Sequence, residues 1–122
     1  MDMLSENPKI EWTQKSGKAC LKFVFGEKLT LKEAEIAIHE WRDAFQSQND
    51  AAIILIWDYR KMKGYETEAR GKWTDALKEM KSQIDTIWLI TESMVIKMGA
   101  SVMGMLTPLN IKTVRSENEI VI

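Results

Sequence analysis

Histidine and cysteine are nearly missing from this 122-residue chain, which holds one of each, His39 and Cys20. A lone cysteine cannot close an intrachain disulfide, and one histidine with one cysteine cannot fill a tetrahedral zinc site of the usual kind. A serine or cysteine nucleophile needs a histidine base beside it. His39 falls among Glu35, Arg42 and Gln46 on the polar side of an amphipathic segment, where a solvated surface histidine is expected. Cys20 lies mid-strand on a lysine-bearing face with no helix N-terminus to lower its pKa, so a structural thiol is expected there. An excess of either charge is also missing: 17 basic and 18 acidic side chains leave a net charge of −1. No global field therefore draws the molecule to nucleic acid, and none is expected as a partner. No run approaches the ~20 apolar residues that span a bilayer. The acidic start, Met1 to Glu6, lacks the apolar stretch of a signal peptide. A reducing, cytoplasmic location without stable membrane insertion is the expectation.

What is present is an ordinary globular balance, 45% hydrophobic and 29% charged. A chain of this length buries one sizeable core, which predicts a single domain over 1–122 and excludes a two-domain enzyme. No internal repeat or low-complexity tract occurs.

Alternation of Ala19, Leu21, Phe23 and Phe25 with Lys18, Cys20 and Lys22 predicts a half-buried strand over 18–25. Lys9 to Thr13 can pair with it as a hairpin through Ser16 and Gly17. Gly26 closes the strand. Thr30 followed by Glu33 forms a capping box opening a helix whose apolar face is Ala34, Ala37, Ile38, Trp41 and Phe45, ending near Gln48 at Asn49 and Asp50. Ala51 to Trp57 is apolar without alternation, the pattern of a parallel strand covered on both faces. It stops at Asp58. Beyond the polar loop Tyr59 to Gly64, an apolar stripe of Tyr65, Ala69, Trp73, Ala76, Leu77 and Met80 predicts a second helix. Gly71 within it costs only ~1 kcal/mol against alanine. Thr86 to Thr91 is again apolar on both sides, so strand, helix and strand predict a parallel crossover. Ser93 can cap a third helix, Met94 to Leu106, which Pro108 ends before a last strand from Ile111 to Val114. The order β-β-α-β-α-β-α-β predicts an α/β fold with one mixed, mostly parallel sheet flanked by helices.

Several tempting motifs fail. Gly64 and Gly71-Lys72 are spaced too widely for a phosphate loop, and Trp73 follows where a hydroxyl is required. The acids Glu66 with Glu68 and Glu117 with Glu119 have neither a partner acid nor a metal-ligand pattern. Of the five tryptophans, Trp41 and Trp73 sit on helix stripes and Trp57 and Trp88 in strands, all positions a core explains. Only Trp12, on an edge strand, is free to be an exposed contact. Acid, base and nucleophile are not assembled, so no catalytic residue, metal or cofactor is expected.

Two features carry functional information. In an open α/β sheet, ligands and partners meet the loops at the carboxyl ends of parallel strands. The loop Asp58 to Thr67 brings Arg60, Lys61 and Lys63 next to a helix start that favours an anion, with Gly64 expected at a turn with φ > 0 and Tyr65 following it. Thr91, Glu92 and Ser93 open the third helix beside it. Together they form either a polar concavity for a phosphate, a carboxylate or an acidic partner surface, or a solvated loop in which Asp58 caps a turn. The third helix is the other feature. It is apolar around its circumference, carries only Lys97 as a charge, and places Met94 and Met98 in its first turns. Either it is buried within the domain, or one face awaits a homodimer contact, a partner helix or an apolar ligand.

The buried strand ending in Asp58, its loop to Gly64-Tyr65 and the Trp73 helix resemble the STAS superfamily, in particular its SpoIIAA-like bacterial branch, over nearly the whole chain. The Gly26 to Thr30 turn and the Ile87 to Ser93 strand and cap fit as well. The resemblance implies a mixed sheet flanked by helices and a non-enzymatic regulator that binds a partner kinase or switch protein. It further implies that Thr67, in Glu66-Thr67-Glu68-Ala69, stands where such regulators carry a phosphorylated serine. Here Glu66 and Glu68 flank the hydroxyl and the usual glycine is absent. Similarity of the branch to lipid-binding Sec14-type domains implies the alternative, a carrier of a lipid or other apolar small molecule between the sheet and the third helix. An unknown protein partner is thus the leading expectation, and a homodimer through the third helix is the simplest symmetric way to cover that helix.

Overall fold

Ser16 and Gly17 turn the chain with φ of 53° and 78°, the left-handed values that a two-residue hairpin turn of type I′ requires at both positions. They join β1 (Lys9–Lys15) to β2 (Lys18–Val24), antiparallel with Trp12 opposite Leu21. The computed structural model describes residues 6–48, 52–106 and 109–122, without the side chains at 100 and 102–106. The sequence features at Met1 to Ser5, Asn49, Asp50, Ala51 and Pro108 lie outside the described residues.

A short β3 (Lys28–Leu29) leads to α1 (Leu31–Gln46). The predicted capping box is present. Thr30 Oγ1 accepts from the Glu33 N–H at 3.2 Å, and Glu33 Oε1 accepts from the Thr30 N–H at 3.0 Å. Then follow β4 (Ile53–Asp58), β5 (Gly64–Tyr65), α2 (Thr67–Met80), β6 (Ile84–Ile90), α3 (Met94–Leu106) and β7 (Ile111–Val114). The main sheet runs β1-β2-β4-β6-β7, and every neighbouring pair except β1–β2 is parallel. The mixed, mostly parallel sheet flanked by helices is the one expected.

On one face of the sheet, Phe23, Leu55, Trp57 and Leu89 pack with α1, α2 and Ile96 of α3. Rings dominate this core. Trp41 and Trp73 have centroids 5.2 Å apart, and Phe23 meets Trp41 edge-on at 5.5 Å. Arg42 forks onto Glu79 at 2.7 and 2.9 Å, tying the outer surfaces of α1 and α2 together. The opposite face, with Cys20, Ile54, Ile56, Trp88 and Ile90, packs against Val114, Ile120 and Ile122 and, among the described residues, against no helix. All six β4 residues are buried, as an uninterrupted apolar strand requires. One of the two covers is the C-terminal segment rather than a helix.

Two local expectations are corrected. Tyr65 does not lie on the stripe of α2. It ends β5, which pairs in parallel with β3, Leu29 against Tyr65, and α2 begins only at Thr67. The spacing from Tyr65 to Ala69 fits a helix, but the backbone is engaged elsewhere: the Glu66 N–H donates to the Leu29 carbonyl at 2.9 Å. Gly64 does not take a positive φ, and Gly17 is the glycine that does among the described residues. Gly64 is extended in β5, and its N–H donates to the Glu27 carbonyl.

Candidate functional site

At the carboxyl ends of β4 and β6, the Tyr59 N–H donates to the Ile90 carbonyl and the Thr91 N–H to the Val114 carbonyl, each at 2.9 Å. These bonds bring the Asp58 loop beside the turn into α3, as a parallel pair of strands demands. Asp58 is buried. Its Oδ1 accepts from the backbone N–H and Nε of Arg60 at 3.1 and 2.9 Å, and its Oδ2 from Nη2 at 2.6 Å. Burial pushes the carboxyl up, yet the hydrogen bonds and charge of Arg60, with Lys22 beyond, outweigh it and hold the pKa below the ordinary aspartate value. The Asp58–Arg60 pair therefore satisfies itself inside the loop. Lys61 is exposed, and Lys63 Nζ stands 3.8 Å from Glu27 in the open.

Thr91 and Ser93 build the start of α3. The buried Thr91 accepts through Oγ1 from the Ser93 N–H at 3.1 Å, and Ser93 Oγ accepts from the Ile96 N–H at 3.3 Å, the expected cap. Thr67 is exposed as the first residue of α2. The neighbouring Glu66 takes the N-cap position but sends its carboxylate across to the Leu31 N–H at 2.6 Å, linking the starts of the two helices. Lys28, Leu31, Tyr65 and Thr67 line the open concavity between them.

Helix α3 is not buried within the domain. Met94, Val95 and Met98 are 67%, 78% and 65% exposed on one side of its first turns, with Lys97 exposed between them, while Ile96 and Gly99 face inward. Beneath these two lies a cavity of about 40 Å³. Its walls include Trp57 from β4, Trp73 from α2 and Leu89 from β6, with Tyr59 and Met62 contributed by the loop. Tyr65 and Arg70 also line it. Tyr65 is 40% exposed, and its hydroxyl lies against α3, 3.8 Å from where a Cβ on Gly99 would stand. The Arg70 guanidinium has no hydrogen bond or ion pair among the described residues, unlike those of Arg42 and Arg60, which fork onto carboxylates. The indole N–H groups of Trp57 and Trp73 are buried with no acceptor among the described residues, as is that of Trp41.

The structure brings Tyr65 against the α3 helix and keeps Asp58 and Arg60 occupied with each other. Trp57, Trp73, Met62 and Arg70 were absent from the sequence-level site. Trp57 and Trp73 read as core, which they also are, Met62 falls within the polar loop, and Arg70 falls on the polar side of the second helix. Only the register of β4 with β6, pairing Trp57 with Leu89, and the packing of α2 create the cavity. His39 is exposed on α1, 3.4 Å from Asp43, and burial raises the pKa of the Cys20 thiol against the lowering effect of Lys15. Among the described residues no group of three His, Cys, Asp or Glu side chains could hold a metal, and no helix is long and apolar enough to cross a membrane.

No protein-family model matches the sequence, and no curated protein does. The three-dimensional arrangement is shared with a solved structure. An uncharacterized protein of the DUF3478 family with a SpoIIAA-like fold, from Shewanella loihica PV-4, superposes with a TM-score of 0.81 at 15% identity, covering 93% of this chain and 90% of that one. The architecture defined by the sheet order and its helices is the class of mixed α/β domains. Within that class the chain has a SpoIIAA-like fold.

Proposed function

We propose that the chain is a STAS-type regulatory module without catalytic activity, working in the cytoplasm by binding a partner protein. The observation that carries this reading is the exposed trio Met94, Val95 and Met98 beside the half-exposed Tyr65. Large apolar side chains grouped on one side of a helix cost free energy in water and mark an interaction surface. The partner presents a complementary apolar surface, for which the adaptable methionines are suited. The exposed Lys61 and Lys63 of the adjacent loop supply a basic rim. Thr67, exposed at the start of α2 on the same side as Tyr65, is the hydroxyl where a phosphate would modulate docking.

The test is photo-crosslinking in the host cell from a probe at position 95, with position 72 on the exposed side of α2 as control. A covalent adduct from 95 and none from 72 is the expected result. An adduct containing two copies of this chain would make the partner itself a homodimer mate, and no adduct from 95 would overturn the reading.

The cavity beneath α3 favours a second role, binding of an apolar small molecule. At about 40 Å³ it has room for more than one water. It is well under the ~300 Å³ of a drug-sized pocket. It is also smaller than the ~150 Å³ cavity that takes a benzene ring, so an apolar group enters only if α3 shifts outward.

A further inference from the structure

We propose that the sheet face opposite the helices is a docking surface for an acidic, aliphatic segment of a partner protein, and that residues 116–122 of this chain occupy it as a displaceable strap. The surface is separate from α3 and its cavity. Cys20, Ile54, Ile56, Trp88 and Ile90, drawn from β2, β4 and β6, form an apolar patch there. Past Val114 of β7, the patch is covered by Ile120 and Ile122, both half-buried. The Glu117 carboxylate pairs with Lys22 Nζ at 2.6 Å and Lys15 Nζ at 3.0 Å. The strap itself displays the chemistry that fits: a carboxylate, then aliphatic side chains three and five residues later.

The strap is held by side chains rather than by the backbone. Residues 116–122 join no strand, and their main-chain hydrogen bonds among the described residues are local, from the Glu119 N–H to the Ser116 carbonyl and from the Ile120 N–H to the Glu117 carbonyl. A segment outside the ladder opens without breaking the sheet, at a lower cost than global unfolding. Its cover is also incomplete. Val121, between the two isoleucines, is 79% exposed, and beside it an open concavity of about 150 Å³ reaches Ile54 and Trp88.

Charge points to an acidic occupant. Lys15 and Lys22 share the one carboxylate of Glu117, and Lys22 is half-buried. With Glu117 lifted away, two ammonium groups stand beside an apolar patch, and a second carboxylate is the group that restores their charge-assisted bonds. The neighbouring loop does not supply one, because Asp58 is already forked by Arg60. The patch then contributes affinity through burial, and the lysine pair fixes the register of the incoming segment. A tethered strap competes at a high effective concentration, so docking is held back until the strap is weakened or outbound by its rival.

The probe is a synthetic peptide with the sequence of residues 114–122, and its control is the same peptide carrying Glu117→Lys. Each is added to the full natural chain and to the full-length double variant Glu117→Gln with Ile120→Ser, whose strap is weakened. Two signals are read: the alkylation rate of Cys20, the chain's one cysteine and fully buried on this face, and the indole N–H resonance of Trp88. The indole resonances of Trp41, Trp57 and Trp73, in the core on the other face, report that the fold is intact. Cys20 is expected to react at least tenfold faster in the variant with those three resonances unmoved. The natural-sequence peptide should then shift Trp88 and slow alkylation at least fivefold, the control peptide should do neither, and the natural chain should bind the peptide at least tenfold more weakly than the variant does. If the double variant loses the core resonances, Glu117→Gln alone, which keeps both isoleucines, is read in the same way. Unchanged Cys20 alkylation in a folded variant overturns the strap, and equal protection by the two peptides overturns the acidic specificity. A folded variant that dimerises on size-exclusion chromatography and gains no peptide response assigns the face to a second copy and overturns the partner assignment.

Discussion

Arg60 folds back onto Asp58, two residues earlier, in a bidentate pair with Nε at 2.9 Å from Oδ1 and Nη2 at 2.6 Å from Oδ2. The most polar part of the loop after the central strand is thereby closed on itself. What the site offers outward is the apolar surface of α3 and the cavity under it.

Asp58→Asn is expected to lower stability by about 1–2 kcal/mol, because a buried carboxylate loses charge-assisted bonds to a half-exposed guanidinium. The sign of the pH effect follows from the lowered pKa in the folded state. The carboxylate contributes its full stabilisation above the unfolded aspartate value of ~3.9 and loses it as pH falls through the lower folded value. Urea denaturation at a series of pH values checks this: the gap between the natural protein and the variant should be constant near neutrality and shrink below about pH 4.

The aromatic core gives the largest expected loss. Trp73 contacts Trp41, Trp57, Phe23 and Phe25, and Trp73→Ala should cost roughly 3–5 kcal/mol. Trp12, 40% exposed on the edge strand β1, should cost under about 1 kcal/mol when replaced by alanine. Chemical denaturation of the two variants side by side measures the contrast, and equal losses would contradict the packing described.

Asn7 joins three elements. Its Oδ1 accepts from the Gly26 N–H at 2.7 Å, while Nδ2 donates to the Lys28 carbonyl at 2.6 Å and to Glu33 Oε2 at 3.0 Å. Asn7→Ala is expected to destabilise by about 2 kcal/mol. Thr30→Ala, removing only the cap, should lose about 1 kcal/mol. Thermal unfolding should therefore order the natural protein above Thr30→Ala and that above Asn7→Ala.

On α3, the double variant Met94→Lys with Met98→Lys should keep the stability of the natural protein within about 0.5 kcal/mol, since both side chains are exposed. It should nonetheless lose the crosslink from position 95. A large fall in melting temperature would show instead that these side chains hold α3 to the domain.

Elements whose causes lie within a few residues were legible in the chain itself. The capping box at Thr30 and Glu33, the Ser16-Gly17 hairpin, the apolar strand up to Asp58 and the Ser93 cap all rest on local hydrogen bonding and on the repeat of apolar residues, which the sequence displays directly. Tyr65 shows where this stops. Its spacing to Ala69 satisfies a helix, yet its backbone joins β3, more than thirty residues upstream, because a strand partner distant in sequence leaves no periodic trace. The cavity was hidden for the same reason. Trp57, Trp73 and Arg70 have separate local explanations as strand core, helix core and helix surface. Only the parallel register of β4 with β6, the packing of α2 and the seat of α3, with Ile96 and Gly99 turned inward, decide that they share one space.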